Sequence, residues 1–416
     1  MEDAVERVVP DQLLVSTPYV SPVLQKLDLM DIPLRSTLAG ASREDTEDSA
    51  ALGLTRIFLA GAYGPGTEIE ERTSAFDIQS VLQSLRLAFA KENAGWYPTM
   101  GKNRALADNI IEGGSMIYGG TRKPGVIQGD QLSKLEERWD GQGNGRPSEP
   151  GSRVRIGLVD TKILAGPPLV GALRGRYKDM LSPDGQTARA GHATFVAGLI
   201  LSVAPGATIE VRGILDNKGQ ADSWDAAKAI VELGSSGVDV LNLSFGCLTG
   251  DGQPPLALAT AVDLVDPQTV IVAAAGNHDP NGRRSVTIDT RQIADITQCA
   301  SYPAALDNVI AVGSAKGQQV EDYSPHGDWV DAYADGTDVT STFLKTLGYK
   351  GFAAWTGTSF AAALVSGTIA AETKPGNVPA RAAWETVKKR PSPPVRRLGL
   401  SPAKGLLVTA DQWFGR

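Results

Sequence analysis

The chain has 416 residues, 42% of them hydrophobic and 21% charged, the composition of a water-soluble globular protein of two or three ordinary domains or one large domain with an extension. Its net charge is −7 and its one obvious basic cluster runs from Lys388 to Arg397. That argues against a nucleic-acid surface, which needs clustered Lys and Arg to neutralise phosphates.

The opening residues, MEDAVERVVPDQLLVS, lack the basic-then-apolar pattern of an export signal. No stretch of about 18 apolar residues follows. A cytoplasmic location with no membrane partner is therefore expected. Cys247 and Cys299 are then expected as reduced thiols. No CxxC or clustered His/Cys pattern appears, so no metal site is expected.

The first part of the chain reads as a small α+β domain over residues 1–139. DQLLVST and LTRIFLAG read as strands and SPVLQKLDLMD as a short helix. ASREDTEDSA reads as a charged loop. SAFDIQSVLQSLRLAFAKENAG carries apolar residues at i, i+3 and i+4 spacing, which predicts a longer helix. DGQGNGRPSEPGS, residues 140–152, is Gly- and Pro-rich and predicts a linker.

Residues 153–386 alternate regularly. RVRIGLVD, TIEVRGIL, VDVLNLSFG, TVIVAAAGN, NVIAVGSA and WVDAYA read as strands. GHATFVAGLILSVA, SWDAAKAIVELGSSG, PLALATAVDLV and the segment around Ser359 read as helices. Near-continuous Val/Ile/Leu strands between helices predict an α/β fold with a mostly parallel sheet covered on both faces. Sites in such sheets form at the carboxyl ends of strands. Asp160, Ser244 and Asn277 all fall there. Residues 387–416 read as a basic, Pro-rich C-terminal extension.

GTSFAAALVSG places Ser359 at a helix start. Alone, that is the sequence of a capped helix built from small residues. A nucleophilic Ser needs a base within reach and a third group to orient the base. Of three histidines, His192 sits at the start of a helix, where the dipole disfavours the imidazolium and so suits a general base. His278 and His326 read as surface loop residues. Asp160 ends an apolar strand, where a carboxylate needs a partner. As a bare pattern, that Asp equally suits a turn cap. Asn277 follows Gly276 in a turn, and an amide there suits either turn geometry or donation to an oxyanion.

Taken in order, LVDT, GHATFVAG, VLNLSFG, AAAGN, SYPAALDNVIAVGS and GTSFAAALVSG resemble the subtilisin-like serine proteases, the subtilases, over about residues 153–372. The resemblance implies a serine endopeptidase in which Asp160 orients, His192 acts as base then acid, and Ser359 attacks. Asn277 would donate to the oxyanion, with the backbone N–H of Ser359. It implies that Ser244, Phe245 and Gly246, with Ala274 and Gly276, line the path of an extended polypeptide substrate. The N-terminal domain would be an intramolecular inhibitor or a permanent regulatory domain. No cofactor is required; structural calcium is common in the family, but its ligands are not placeable here. Lys162, Ala193, Phe195, Phe360 and Ala363 stand where the family usually has Gly, Gly, His, Met and Pro. These departures leave open a peptide-binding relative without activity, or a dedicated precursor-processing protease.

Overall fold

The computed structural model describes residues 6–37, 44–61, 76–107, 123–139, 149–166, 168–174, 176–182, 187–278, 286–288, 291–293, 296–396 and 405–408. An N-terminal module is built from strands β1 (Val8–Ser16), β2 (Thr46–Ser49), β3 (Leu54–Phe58) and β4 (Met100–Ala107), with helices α1 (Val20–Leu29) and α2 (Ile78–Glu92). The strands lie in the order β2-β3-β1-β4, all antiparallel. Side chains alternate across a strand. Leu13 and Val15 therefore pack with Leu27, Leu82 and Leu85 of the helices, while Leu14 packs on the other face with Trp224 and Ile230. Both faces of this sheet are thus buried.

Part of ASREDTEDSA is the edge strand β2 rather than loop; residues 41–43 lie outside the described residues. Its charges hide the strand in the sequence because their partners are distant: Glu47 accepts from Trp224 and Lys228.

Two short elements follow, β5 (Gly125–Val126) and α3 (Gly129–Trp139). The sequence groups them with the N-terminal domain, but Leu132, Leu135 and Trp139 share a core with Phe195, Ile200 and Leu364 of the larger domain. Of the expected linker, residues 149–152 form a turn against Gly206 and residues 140–148 lie outside the described residues.

The larger domain contains β6 (Arg155–Thr161), β7 (Leu173–Arg174), α4 (His192–Val203), β8 (Thr208–Leu215), β9 (Gln220–Asp222), α5 (Ser223–Ser235), β10 (Val240–Leu243), α6 (Leu256–Leu264) and β11 (Val270–Ala274). A hairpin of β12 (Val286–Ile288) and β13 (Arg291–Ile293) precedes β14 (Val309–Lys316), β15 (Gln319–Val320), β16 (Ala332–Ala334), β17 (Val339–Thr342) and β18 (Phe352–Trp355). Helices α7 (Thr358–Glu372) and α8 (Ala380–Lys388) and strand β19 (Leu406–Val408) complete it.

The main sheet runs β19-β16-β14-β11-β10-β6-β8-β7 with every neighbouring pair parallel, and β15 pairs antiparallel with β14. Helices α4, α7, α8 and α3 cover one face. Helices α5 and α6 cover the other and receive the N-terminal sheet. The Pro-rich tail is not wholly solvated: Val395 is buried and Leu406–Val408 adds the outermost parallel strand. Residues 397–404 and 409–416 lie outside the described residues.

Among the described residues no helix is long and apolar enough to cross a membrane.

Candidate active site

Asp160 is the penultimate residue of β6, at the carboxyl end of the sheet, and is fully buried. Such burial requires partners. Its Oδ1 accepts from the Thr161 amide at 2.6 Å. Both carboxylate oxygens face His192 Nδ1, at 2.8 and 2.9 Å. A carboxylate can only accept from a ring nitrogen that carries a proton, so this contact fixes Nδ1–H and leaves Nε2 as the basic nitrogen.

His192 opens α4. Strand and helix are fastened together there, because Thr161 Oγ1 accepts from the Ala193 amide at 3.0 Å. The side chain of Thr161 thus satisfies one of the amides that a helix start leaves unpaired.

Ser359 is the second residue of α7 and is also fully buried. Its Oγ lies 3.4 Å from the carbonyl of Ser244, just past β10. The ring of the adjacent Phe360 stands 5.6 Å from the His192 ring, so the starts of α4 and α7 face one another.

Asn277 follows β11 and is buried. The Thr358 amide donates to its Oδ1 at 2.8 Å. That donor requires the oxygen, which turns Asn277 Nδ2 toward Gly357, the residue before the helix. Gly276 has φ 110°, a backbone conformation that favours glycine. It allows the turn that brings Asn277 beside the start of α7. Thr358 Oγ1 joins the same turn, accepting from the Gly276 amide and donating to its carbonyl, each at 3.1 Å.

The five expected substrate contacts lie around this centre, all buried. Ser244 Oγ donates to Asn242 Oδ1 at 2.8 Å, and Asn242 in turn donates to Ser366 of α7 at 3.0 Å. Phe245 and Gly246 continue the chain beyond Ser244. Ala274 and Gly276 lie on either side of the β11 exit.

His278 and His326 are corrected by the structure: both are buried, not surface residues. The His278 amide donates to the Tyr323 carbonyl, and the His326 amide to that of Thr297. These are contacts across the chain that local sequence does not carry.

The sequence reading missed Thr161, Thr358, Asn242 and Trp355. The first two had a signal, since each follows or precedes a singled-out residue directly. Trp355 packs against the rings of Phe195, Phe343, Phe360 and His192.

Among the described residues no group of three or more His, Cys, Asp or Glu is arranged to hold a metal ion. Burial pushes the Cys247 thiol up to about 12, so it stays an unreactive thiol.

The family model of the subtilase family matches residues 151–390. A thermophilic serine proteinase from Bacillus sp. (strain AK1) is 30% identical over 259 residues, 59% of this chain and 57% of that protein. Subtilisin E from Bacillus subtilis (strain 168) is 30% identical over 232 residues, 53% of this chain and 55% of that protein. The chain thus spans little more than half the length of these two relatives. The crystal structure of a lanthipeptide protease aligns with TM-score 0.48 and 24% identity, over 65% of this chain and 91% of that one. Since the family model covers more than half of the 416 residues, the chain belongs to the subtilase family.

Proposed function

We propose that the protein is a serine endopeptidase acting through Asp160, His192 and Ser359. The observation that carries this reading is the grip of both Asp160 oxygens on His192 Nδ1 at the carboxyl end of the sheet, beside the start of α7. His192 Nε2 takes the proton of Ser359 Oγ as that oxygen attacks the scissile carbonyl carbon. The developing oxyanion receives hydrogen bonds from Asn277 Nδ2 and the Ser359 amide. His192 then returns the proton to the leaving amine. Water, activated by the same base, hydrolyses the acyl-enzyme. An extended polypeptide suits the strand-lined exit at Ser244–Gly246, because strand addition supplies backbone hydrogen bonds with little demand on sequence.

We further propose that the N-terminal module is an intramolecular inhibitor. Two observations support this. First, Asp160, His192, Asn277 and Ser359 are each 0% exposed in the intact chain. Second, the module is fastened to the larger domain by strand pairing, β4 to β9 through Ala105–Asp222, Leu106–Ala221 and Ala107–Gln220.

A fluorophosphonate probe and intact-mass measurement test both proposals. Labelling of wild type that is absent in Ser359→Ala is expected, with a mass loss in wild type only. Folded wild type that never labels, cut or uncut, would sink the enzyme reading. Labelling of the uncut chain as fast as the cut one would sink the inhibitor reading.

A further inference from the structure

Trp355 ends β18, and its indole is 2% exposed. The rings of Phe195 (5.7 Å, 87°) and Phe343 (5.7 Å, 84°) meet it edge-on, and Phe360 lies tilted at 5.3 Å. The fourth neighbour is His192, edge-on at 5.7 Å and 84°. The Nε1–H of Trp355 is buried and has no hydrogen-bond partner. Two other indoles of the chain do find acceptors: Trp224 donates to Glu47 Oε1 and Trp329 to the Gln298 carbonyl.

An unpaired buried donor costs free energy and calls for an explanation. Ordered water is a poor one. A buried water needs two to four polar partners, whereas three of the four rings of this cage are hydrocarbon. The imidazole is engaged at Nδ1 by Asp160 and supplies Nε2 to the reaction. Contact of N–H with a ring face is a weak substitute. The group that must come to this place during function is a peptide, and a peptide brings backbone carbonyls. The indole packs on the His192 ring at 5.7 Å, so a peptide that reaches His192 comes within one ring of it.

We propose that Trp355 Nε1–H is a substrate-binding donor, satisfied only when a backbone carbonyl of the polypeptide lies against His192. The inference rests on the endopeptidase reading above. It makes the indole a determinant of substrate class, favouring polypeptides over small esters that offer no second carbonyl.

The test replaces Trp355 with 3-benzothienylalanine, which keeps the ring shape and removes the N–H, alongside Trp355→Phe. Casein is the substrate for the full chain and its self-processed product. In the benzothienyl variant kcat/KM should fall about tenfold, which is about 1.4 kcal/mol, with no drop in the thermal unfolding midpoint. A purely structural role would lower that midpoint and leave kcat/KM in step with the folded fraction. In a second measurement on wild type, the indole N–H resonance of Trp355 should move downfield when a tripeptide aldehyde binds. An unmoved resonance, or a folded benzothienyl variant within twofold of wild type, overturns the proposal while fluorophosphonate labelling of wild type leaves the enzyme reading standing. Failure of wild type to label at all overturns both.

Discussion

The rings of Phe195 and Phe360 stand 4.5 Å apart, tilted by 52°, with both side chains fully buried. One belongs to α4 and the other to α7, and both sit where the family pattern has another residue. The two departures therefore fill one space. Each ring packs where its partner leaves room, between the helix starts that carry His192 and Ser359. Truncating either, as Phe195→Ala or Phe360→Ala, should cost about 3–5 kcal/mol. Because the rings touch, the double variant should cost less than the sum, by about 0.5–3 kcal/mol. Denaturant unfolding of the four proteins measures this coupling. Strict additivity would show that the rings do not share a cavity.

The grip of Asp160 on His192 makes a kinetic prediction. Asp160→Asn presents an amide that cannot accept with both atoms and favours the wrong imidazole tautomer. Turnover should fall about 10⁴-fold, with KM changed only a few-fold. Asn277→Ala removes a donor that acts when charge develops on oxygen, and should lower kcat about 10²–10³-fold with little effect on KM. Steady-state kinetics on casein separates the two constants. A loss confined to KM in either variant would contradict the assigned roles.

The placement of these residues at strand and helix ends was readable in advance because the signals for it are local. The parallel strands are runs of Val, Ile and Leu, and Asp160, His192, Asn277 and Ser359 each lie within a short motif at a strand or helix end. What stayed hidden is non-local. MGKNRALA has no apolar alternation to mark it as a strand, yet it is β4, with Lys102, Asn103 and Arg104 all buried. Their partners lie 91 to 147 residues away: Glu6, Gln12, Ser223 and Asp251. Trp355 and Phe343 likewise look like ordinary core aromatics. Only the folded packing sets Trp355 against His192 and Phe343 against Trp355.

Arg104 is the centre of the charged contact between the N-terminal module and the larger domain. It is 4% exposed. It pairs with Glu6 and donates to both oxygens of Asp251, at 3.0 and 3.1 Å. Removing it leaves the two partly buried carboxylates with Lys102 alone, at 2.8 Å from Glu6 and 3.9 Å from Asp251. Arg104→Met should therefore destabilise the full chain by on the order of 3 kcal/mol, although its size fits the site. Adding Asp251→Asn should restore part of that loss, because Glu6 and Lys102 still pair. Thermal unfolding of the single and double variants checks both signs. A double variant less stable than the single one would rule out charge burial as the cause.

Glu47 gives the same interface a pH dependence. Burial pushes its carboxyl upward, but hydrogen bonds from Lys228, Trp224 and Arg56 outweigh that and hold it at about 2, against an ordinary 4.5. The folded state therefore favours the ionised form more than the unfolded state does. The stability from this group is present above pH 4.5 and is lost as pH falls toward 2. The loss acts where β2 meets α5, since Trp224 and Lys228 both belong to that helix. Glu47→Gln keeps the shape and removes the titration. Its stability should lie below wild type at pH 7, and the gap should close as pH approaches 2. Hydrogen exchange at the amides of β2 and α5 follows this difference across the range. A gap that stays constant with pH would mean that Glu47 contributes by packing and neutral hydrogen bonding, and not by its charge.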